Sequence, residues 1–248
     1  VRTLVAIPVY NEERHVRRVL DRVLQYASDV VVVDDGSTDA TTQIVAEYRV
    51  NVLRRIDNRG YGRSLREAFG WAICQGYDWV VTMDCDDQHE PESLPDFFRE
   101  IERDRLDLIS GSRYLSPAAE ASVPPDRLAI NRAITAEINE RFGLSITDAF
   151  CGFKAHRVES LRQLTLCQDG YAFPMQLWVQ SVALGHRIGE LPVKLIYNDP
   201  NRTFGASLDN PQARLAHYRR ILHREICRWR DRLPAEADAG LTCGVGCA

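Results

Sequence analysis

Val30-Val31-Val32-Val33-Asp34-Asp35-Gly36-Ser37-Thr38-Asp39 is the stretch on which the fold turns. Asp29 to Val33 is a short, β-branched, apolar run and reads as a strand. Two acids and a glycine end it. Ser37-Thr38-Asp39 then forms an N-cap cluster that opens a helix through Ile44, Val45 and Tyr48. Strand, acidic turn and helix in immediate succession are the building unit of an α/β protein.

The same unit recurs on both sides. Upstream, Thr3 to Ile7 is an apolar strand, and Val16, Val19, Leu20, Val23 and Leu24 recur at helical spacing after Asn11-Glu12-Glu13. Downstream come a weaker strand, Asn51 to Ile56, a glycine-bearing turn, and a helix through Leu65, Ala68, Phe69 and Ala72. A fourth strand, Trp79 to Met83, ends on Asp84. Repeated β-α-β units with short connections predict a doubly wound, mostly parallel central sheet flanked by helices. Ligands of such sheets bind beyond the carboxyl ends of the strands. Those ends read Pro8-Val9-Tyr10-Asn11-Glu12, Asp34-Asp35-Gly36 and Asp84-Cys85-Asp86-Asp87-Gln88-His89. Three polar, acidic termini are thus expected on one rim.

Beyond residue 106 the pattern changes. Leu106 to Ser110 reads as a strand leading into Gly111-Ser112-Arg113-Tyr114, and Ser116 to Pro125 as a small-residue, Pro-rich loop. Helices are expected around Leu128 to Phe142 and Ala172 to Leu184, with a strand near Glu190 to Tyr197. The chain is expected to divide into a main α/β domain over 1–210, a basic amphipathic helix over 211–232 and a tail without fixed structure over 233–248. In that helix Leu215, Tyr218, Leu222 and Trp229 fall near one face, surrounded by Arg214, Arg219, Arg220, Arg224, Arg228 and Arg230. Such a helix suits either peripheral contact with an anionic membrane or docking on the core.

The 248 residues are 45% hydrophobic and 27% charged, the balance of a globular protein. A formal charge of −4 supplies no basic field for nucleic acid, so no nucleic-acid partner is expected. No apolar run nears the roughly 18 to 20 residues that cross a bilayer. Val1-Arg2-Thr3-Leu4-Val5 runs straight into a strand, which predicts no signal peptide, while the missing Met leaves room for a trimmed upstream segment. Seven cysteines, an odd number with Cys74, Cys85, Cys151, Cys167 and Cys227 scattered, predict reduced thiols in the cytoplasm rather than a disulfide framework. Cys243 and Cys247 belong to the glycine-rich tail, and two thiols alone do not complete a tetrahedral metal shell.

Asp84 and Asp86 stand at i and i+2 directly after a buried strand. Like charges this close, partly desolvated, raise each other's pKa unless a cation compensates them, and hard oxygen ligands suit Mg2+ or Mn2+. A solvated Asp-rich turn is the plain reading of Asp-x-Asp alone. Gln88 and His89 following, beside two other acidic strand ends, favour the metal, with Asp84, Asp86 and Gln88 as ligands. Such an ion would bridge the two phosphates of a bound diphosphate and stabilise it as a leaving group. Arg202, in Asn201-Arg202-Thr203-Phe204-Gly205, is the candidate cation for the remaining charge, since a guanidinium fork matches phosphate oxygens.

These strings together resemble the family 2 glycosyltransferases of GT-A fold. They are Pro8-x-Tyr10-Asn11-Glu12, Val33-Asp34-Asp35-Gly36-Ser37-x-Asp39, Asn58-x-Gly60-x-Gly62, Asp84-x-Asp86-x-Gln88-His89, Gly111-Ser112-Arg113, Asp148-x-x-Cys151-Gly152-Phe153-Lys154, Gly170-Tyr171-x-Phe173 and Arg202-x-x-Gly205-x-Ser207. Within that family they are most similar to the dolichyl- or polyprenyl-phosphate mannose synthase branch, over roughly residues 3 to 208. The resemblance implies that Pro8, Tyr10 and Glu12 line the nucleobase and ribose pocket, with Asp35 and Asp57 near the base. It implies that Asp84, Asp86 and Gln88 hold the metal, and that Arg113 and Arg202 face phosphates or the acceptor. Asp148 would lie by the donor or acceptor sugar. It further implies an inverting displacement from a nucleotide-diphosphate sugar, GDP-mannose or UDP-glucose, onto a lipid phosphate or a hydroxyl acceptor.

The chain departs from the branch in three ways. Gln176 stands where a glutamate is usual, Cys85 and Asp87 replace smaller or uncharged residues, and no transmembrane helices follow the catalytic domain. A hydroxyl acceptor needs a general base and a phosphate does not. If Gln176 occupies the glutamate position, one candidate base is missing, which favours polyprenyl phosphate, with Asp148 left as a possible base. Two other classes compete. A haloacid-dehalogenase-like phosphatase would use Asp84 as nucleophile, but carries its Asp-x-Asp after the first strand. A dinucleotide-binding oxidoreductase needs a third glycine where Leu65 stands. A catalytically inactive nucleotide-sugar binder is the remaining alternative.

Overall fold

The computed structural model describes residues 1–115, 123–194, 196 and 206–243. Seven strands form one sheet in the order β3-β2-β1-β4-β6-β5-β7. They are β1 Thr3–Val9, β2 Val30–Asp34, β3 Asn51–Arg54, β4 Trp79–Thr82, β5 Leu108–Ser112, β6 Lys154–Arg157 and β7 Ile188–Pro192. The β1–β2, β1–β4, β2–β3 and β5–β7 pairs are parallel, while β6 runs antiparallel to both β4 and β5. The mostly parallel α/β sheet expected from the sequence is therefore present. From β1 the chain winds outward through β2 and β3, then returns to the other side at β4. That reversal opens the crevice where doubly wound sheets bind ligands.

The eight helices of the described residues cover both faces. They are α1 Val16–Val23, α2 Thr41–Val45, α3 Tyr61–Cys74, α4 Leu94–Glu102, α5 Pro125–Phe142, α6 Val158–Leu161, α7 Phe173–Ala183 and α8 Pro211–Trp229. Because successive strand residues point to opposite faces, Val5, Ile7, Val30 and Val32 pack under α1 and α4, while Leu4, Ala6, Val31 and Val33 pack under α3. Sequence periodicity missed α4 and β6. The β6 sequence, Lys154-Ala155-His156-Arg157, is polar on its face, and only the partners it finds inside the protein allow Lys154 and His156 to be 3% exposed.

The C-terminal region differs most from expectation. The helix α8 is integral to the larger core cluster: Tyr218, Ile221, Leu222 and Ile226 are buried with residues of α5 and α7. Its apolar face is thus turned to protein, and docking describes it rather than a free membrane-facing stripe. The segment after it is not loose up to Cys243. Ala237 is 1% exposed, Arg141 donates to the carbonyls of Ala237 and Ala239 at 2.8 and 3.2 Å, and Cys227 is disulfide-bonded to Cys243. The expectation of reduced thiols is corrected accordingly: at a sequence separation of 16, two cysteines of a helix and its trailing segment meet, a proximity that scattered positions do not disclose. Among the described residues, no helix is long and apolar enough to cross a membrane.

Candidate active site

The loops beyond β1 and β2 are tied together by side chains that satisfy backbone groups, and Arg18 of α1 pairs with Asp87 beyond β4. Asn11, held at φ 55°, accepts from Thr38 N–H at 2.8 Å, and its own N–H donates to Ser37 Oγ at 3.0 Å. Glu12 N–H donates to Thr41 Oγ1 at 2.8 Å. Asp34, buried at the end of β2, accepts from Ser37 N–H and Thr42 Oγ1 at 2.8 and 2.6 Å, fixing the turn into α2. Of the residues expected at the nucleotide, Tyr10 is exposed, Pro8 is half-buried, and the Glu12 carboxylate stands 2.8 Å from His15 Nδ1.

Asp35 and Asp57 turn out differently from one another. Asp35 is 3% exposed; it accepts from Arg59 N–H at 2.7 Å, Gly60 N–H at 2.8 Å and Arg55 Nε at 2.9 Å. This carboxylate thus organises the loop leading into α3. Gly60 adopts φ +100°, a conformation L side chains rarely adopt, which lets its N–H reach Asp35. Asp57 is exposed and pairs with Arg59 at 2.9 Å.

After β4 the acidic cluster folds back on itself. Asp84 N–H donates to His89 Nδ1 at 2.9 Å, and the buried His89 ring lies tilted on Phe153 with centroids 5.3 Å apart. Asp86, 8% exposed, accepts from Gln88 N–H at 3.0 Å. Asp87, in a left-handed conformation, is paired with Arg18. Asp84 Oδ1 is buried and has no hydrogen-bond partner. The Tyr61 hydroxyl at the start of α3 reaches the same carboxylate; burial first, then the charge of Asp84, push that phenol well above its usual range. Behind Asp84 stands Gly152, where a Cβ would lie 2.6 Å from Oδ2. Burial, then the charges of Glu12 and Asp86, likewise raise the Cys85 thiol, which shows that the β1 and β4 termini share one acidic environment. Among the described residues, no three His, Cys, Asp or Glu side chains are gathered as a cation cage. The cluster offers two carboxylates and the Gln88 amide.

Asp148 lies beside this cluster but inside the protein, at 0% exposure. It accepts from Arg113 Nε and Nη2 at 2.7 and 3.0 Å, from Asn131 Nδ2 at 2.8 Å, and from the N–H groups of Phe150 and Cys151 at 3.1 and 3.2 Å. Burial alone would raise its pKa. The Arg113 charge and hydrogen bonds, with Asn131 and Lys154, outweigh it and hold the carboxylate well below the usual range. Arg113, expected to face phosphates or the acceptor, spends two of its side-chain donors on Asp148. Arg202 lies outside the described residues.

Sequence reasoning assigned no role to Tyr61, Gly152 or Lys154. Gly152 and Lys154 carried a signal, since they stand in the Asp148-to-Lys154 string. Tyr61 carried none, being the unspecified position between Gly60 and Gly62. Gln176 is 0% exposed in α7 and accepts from Cys167 and Gln168 N–H, both at 2.8 Å. It is a fully used structural amide.

With this geometry in place, the sequence can be set beside known proteins. The model of "Glycosyl transferase family 2" matches residues 4–165. The chain belongs to glycosyl transferase family 2. It is a glycosyltransferase of GT-A fold, similar to the polyprenyl-phosphate mannose synthase branch. The undecaprenyl-phosphate mannosyltransferase of Micrococcus luteus is 33% identical over 206 residues, 79% of this chain and 84% of the relative. The polyprenol monophosphomannose synthase of Mycolicibacterium smegmatis is 33% identical over 205 residues, 77% and 76% of the two chains. Among solved structures, the glucosyl-3-phosphoglycerate synthase of Mycobacterium tuberculosis in complex with UDP superposes with a TM-score of 0.66 at 18% identity, covering 94% of this glycosyltransferase and 81% of that chain. The same enzyme was solved with Mg2+ and with Mn2+.

Proposed function

We propose that this glycosyltransferase moves a mannosyl group, with inversion, from a nucleotide-diphosphate sugar to polyprenyl phosphate in a metal-dependent reaction. The observation that carries the metal is the orphaned Asp84 Oδ1. A buried carboxylate oxygen without a donor costs about 1–3 kcal/mol or more, and a divalent cation beside Asp86 and Gln88 removes that cost. The donor set is two carboxylates and an amide, all hard oxygens, which fits Mg2+ or Mn2+. Asp84, Asp86 and Gln88 would hold the ion, whose chemistry when bound is to neutralise charge on the leaving diphosphate.

The protein's own residues do the rest. The loops stitched together by Asn11, Glu12 and Asp34 present Pro8, Tyr10 and Glu12 to the nucleoside. The Asp35-bound loop and Tyr61 frame the opposite side, with Asp57 exposed at its edge. Arg202 supplies positive charge to the diphosphate or to the acceptor. Asp148, saturated by donors and held ionised, positions Arg113 and has no lone pair left to take a proton from an acceptor. A phosphate acceptor needs no such base, being anionic at neutral pH. The two mannose-transferring relatives are named for polyprenyl-phosphate chemistry, which supports the same acceptor and favours GDP-mannose over UDP-glucose as donor.

The test is direct. Purified protein is incubated with polyprenyl phosphate and labelled GDP-mannose or UDP-glucose, with Mn2+, with Mg2+ or with EDTA. Labelled lipid should form with the mannosyl donor and vanish in EDTA. Transfer that persists in EDTA removes the metal, and transfer only to hydroxyl acceptors removes the lipid phosphate. Binding of donor with no transfer to any acceptor would leave the inactive binder as the correct reading.

A further inference from the structure

Glu225 of α8 is 2% exposed, an acid inside the core cluster that carries no part of the reaction described above. It accepts from Gln176 Nε2 at 2.9 Å, Gln180 Nε2 at 2.6 Å and Trp229 Nε1 at 3.1 Å. Both amides use their oxygens on a single loop. Gln180 Oε1 accepts from Thr165 N–H at 2.7 Å, and Gln176 Oε1 from Cys167 and Gln168 N–H. The next residues of that loop press on the turn into α3. A Cβ on Gly60 would stand 2.4 Å from Asp169 O and one on Gly62 2.3 Å from Gln168 O, while Arg63 N–H donates to Asp169 O at 3.2 Å. Gly60 N–H is bound to Asp35, and Tyr61 reaches Asp84 and stacks on Tyr171 at 6.0 Å. An unbroken run of contacts therefore leads from α8 to the rim of the site.

We infer that Glu225 is a positioning residue for the nucleotide: through Gln176 and Gln180 it fixes residues 165–169, and these set the Gly60–Gly62 turn that Asp35 and Tyr61 share. The sense of every hydrogen bond requires an acid at 225 and an amide at 176. Glu225 accepts from three donors. An amide at 225 would aim an NH2 at the NH2 of Gln176 or Gln180, and turning either of these to relieve it would break its hold on the loop. The reversed pair is satisfiable. A carboxylate at 176 accepts from Cys167 N–H, Gln168 N–H and the amide of residue 225, whose oxygen still accepts from Gln180 and Trp229.

This rests on the proposal that the rim binds a nucleoside diphosphate, so affinity for GDP and for UDP, each with Mn2+, is measured by calorimetry beside thermal melting. For Glu225→Gln, losing about one such hydrogen bond at the turn weakens the tighter nucleotide roughly ten-fold. Leu222→Ala, on the same helix and buried, lowers the melting temperature but leaves that affinity within a factor of two. The double variant Glu225→Gln, Gln176→Glu restores it. Wild-type affinity in a folded Glu225→Gln protein overturns the inference, as does equal weakening by Leu222→Ala. Should the single variant fail to fold, a folded double variant that binds ten-fold more weakly than wild type overturns it instead. If the wild-type protein binds neither nucleotide, the donor reading itself falls; that outcome is distinct from a wild type that binds and variants that bind equally well.

Discussion

A methyl group at position 152 would sit 2.6 Å from Asp84 Oδ2 and 2.7 Å from the Tyr61 hydroxyl, closer than carbon and oxygen can approach. Gly152→Ala should therefore displace the carboxylate expected to hold the cation. Transfer activity should drop by about 100-fold or more, the scale on which roughly 1 Å misplacements act. A melting temperature close to wild type and unchanged activity would contradict this. Asp148→Asn tests the neighbouring pair. It leaves the half-buried Arg113 guanidinium without its fully buried counter-charge, an effect of about 3 kcal/mol in urea unfolding. The sign with pH follows from the depressed pKa of Asp148. Its contribution is complete above about pH 4, where the unfolded carboxyl is ionised, and fades only as pH falls below the usual carboxylate range. The variant should thus lose its deficit relative to wild type only in strong acid.

At the scale of elements, β6 carries a titration that the sheet imposes. His156 is buried against Phe69, and burial, then the charge of Lys154, press its pKa from 6.5 to about 3. The unfolded chain takes up a proton near pH 6.5 that the folded chain refuses until about pH 3, so stability rises with pH across this window and is level above it. Each pH unit lost within it costs up to about 1.4 kcal/mol for this group. Melts of His156→Phe between pH 6.5 and 4 should fall less steeply than wild type, though His186, also depressed by burial, keeps some slope. The C-terminal clasp gives a second test. Cys227→Ser opens a loop with a sequence separation of 16, and closing a loop of that size is worth about 3 kcal/mol. Thermal melting should show the loss, and reductant should reproduce it in wild type but not in the variant.

For the molecule as a whole, the reversal of strand order at β1 and β4 collects groups from residues 10 to 152 on one rim. A ligand that binds there stabilises the folded state in proportion to the logarithm of its concentration over Kd. GDP or UDP at 100 times Kd should add about 2.7 kcal/mol, and EDTA should abolish the gain if a cation joins protein to diphosphate. A thermal shift unaffected by EDTA would count against the metal. The position of α8 follows from the same packing. Arg219, Arg220, Arg224 and Arg228 face outward, Arg214 is buried and paired with Asp126 at 2.7 Å, and Leu222 and Ile226 complete the core that α5 and α7 begin.

Reading the chain alone determined the strand-acid-helix alternation, hence the parallel sheet and the acidic residues that end its strands. Each of these is encoded locally, in apolar runs and the residues that end them. Tertiary structure alone decided the rest. The strand Lys154–Arg157, the Asp148–Arg113 pair, the Gln176–Glu225 contact and the Cys227–Cys243 bond join polar groups far apart in sequence. A polar side chain shows whether it is solvated, paired or oxidised only when folding has chosen its neighbour, because burial without that partner is what the free energy forbids.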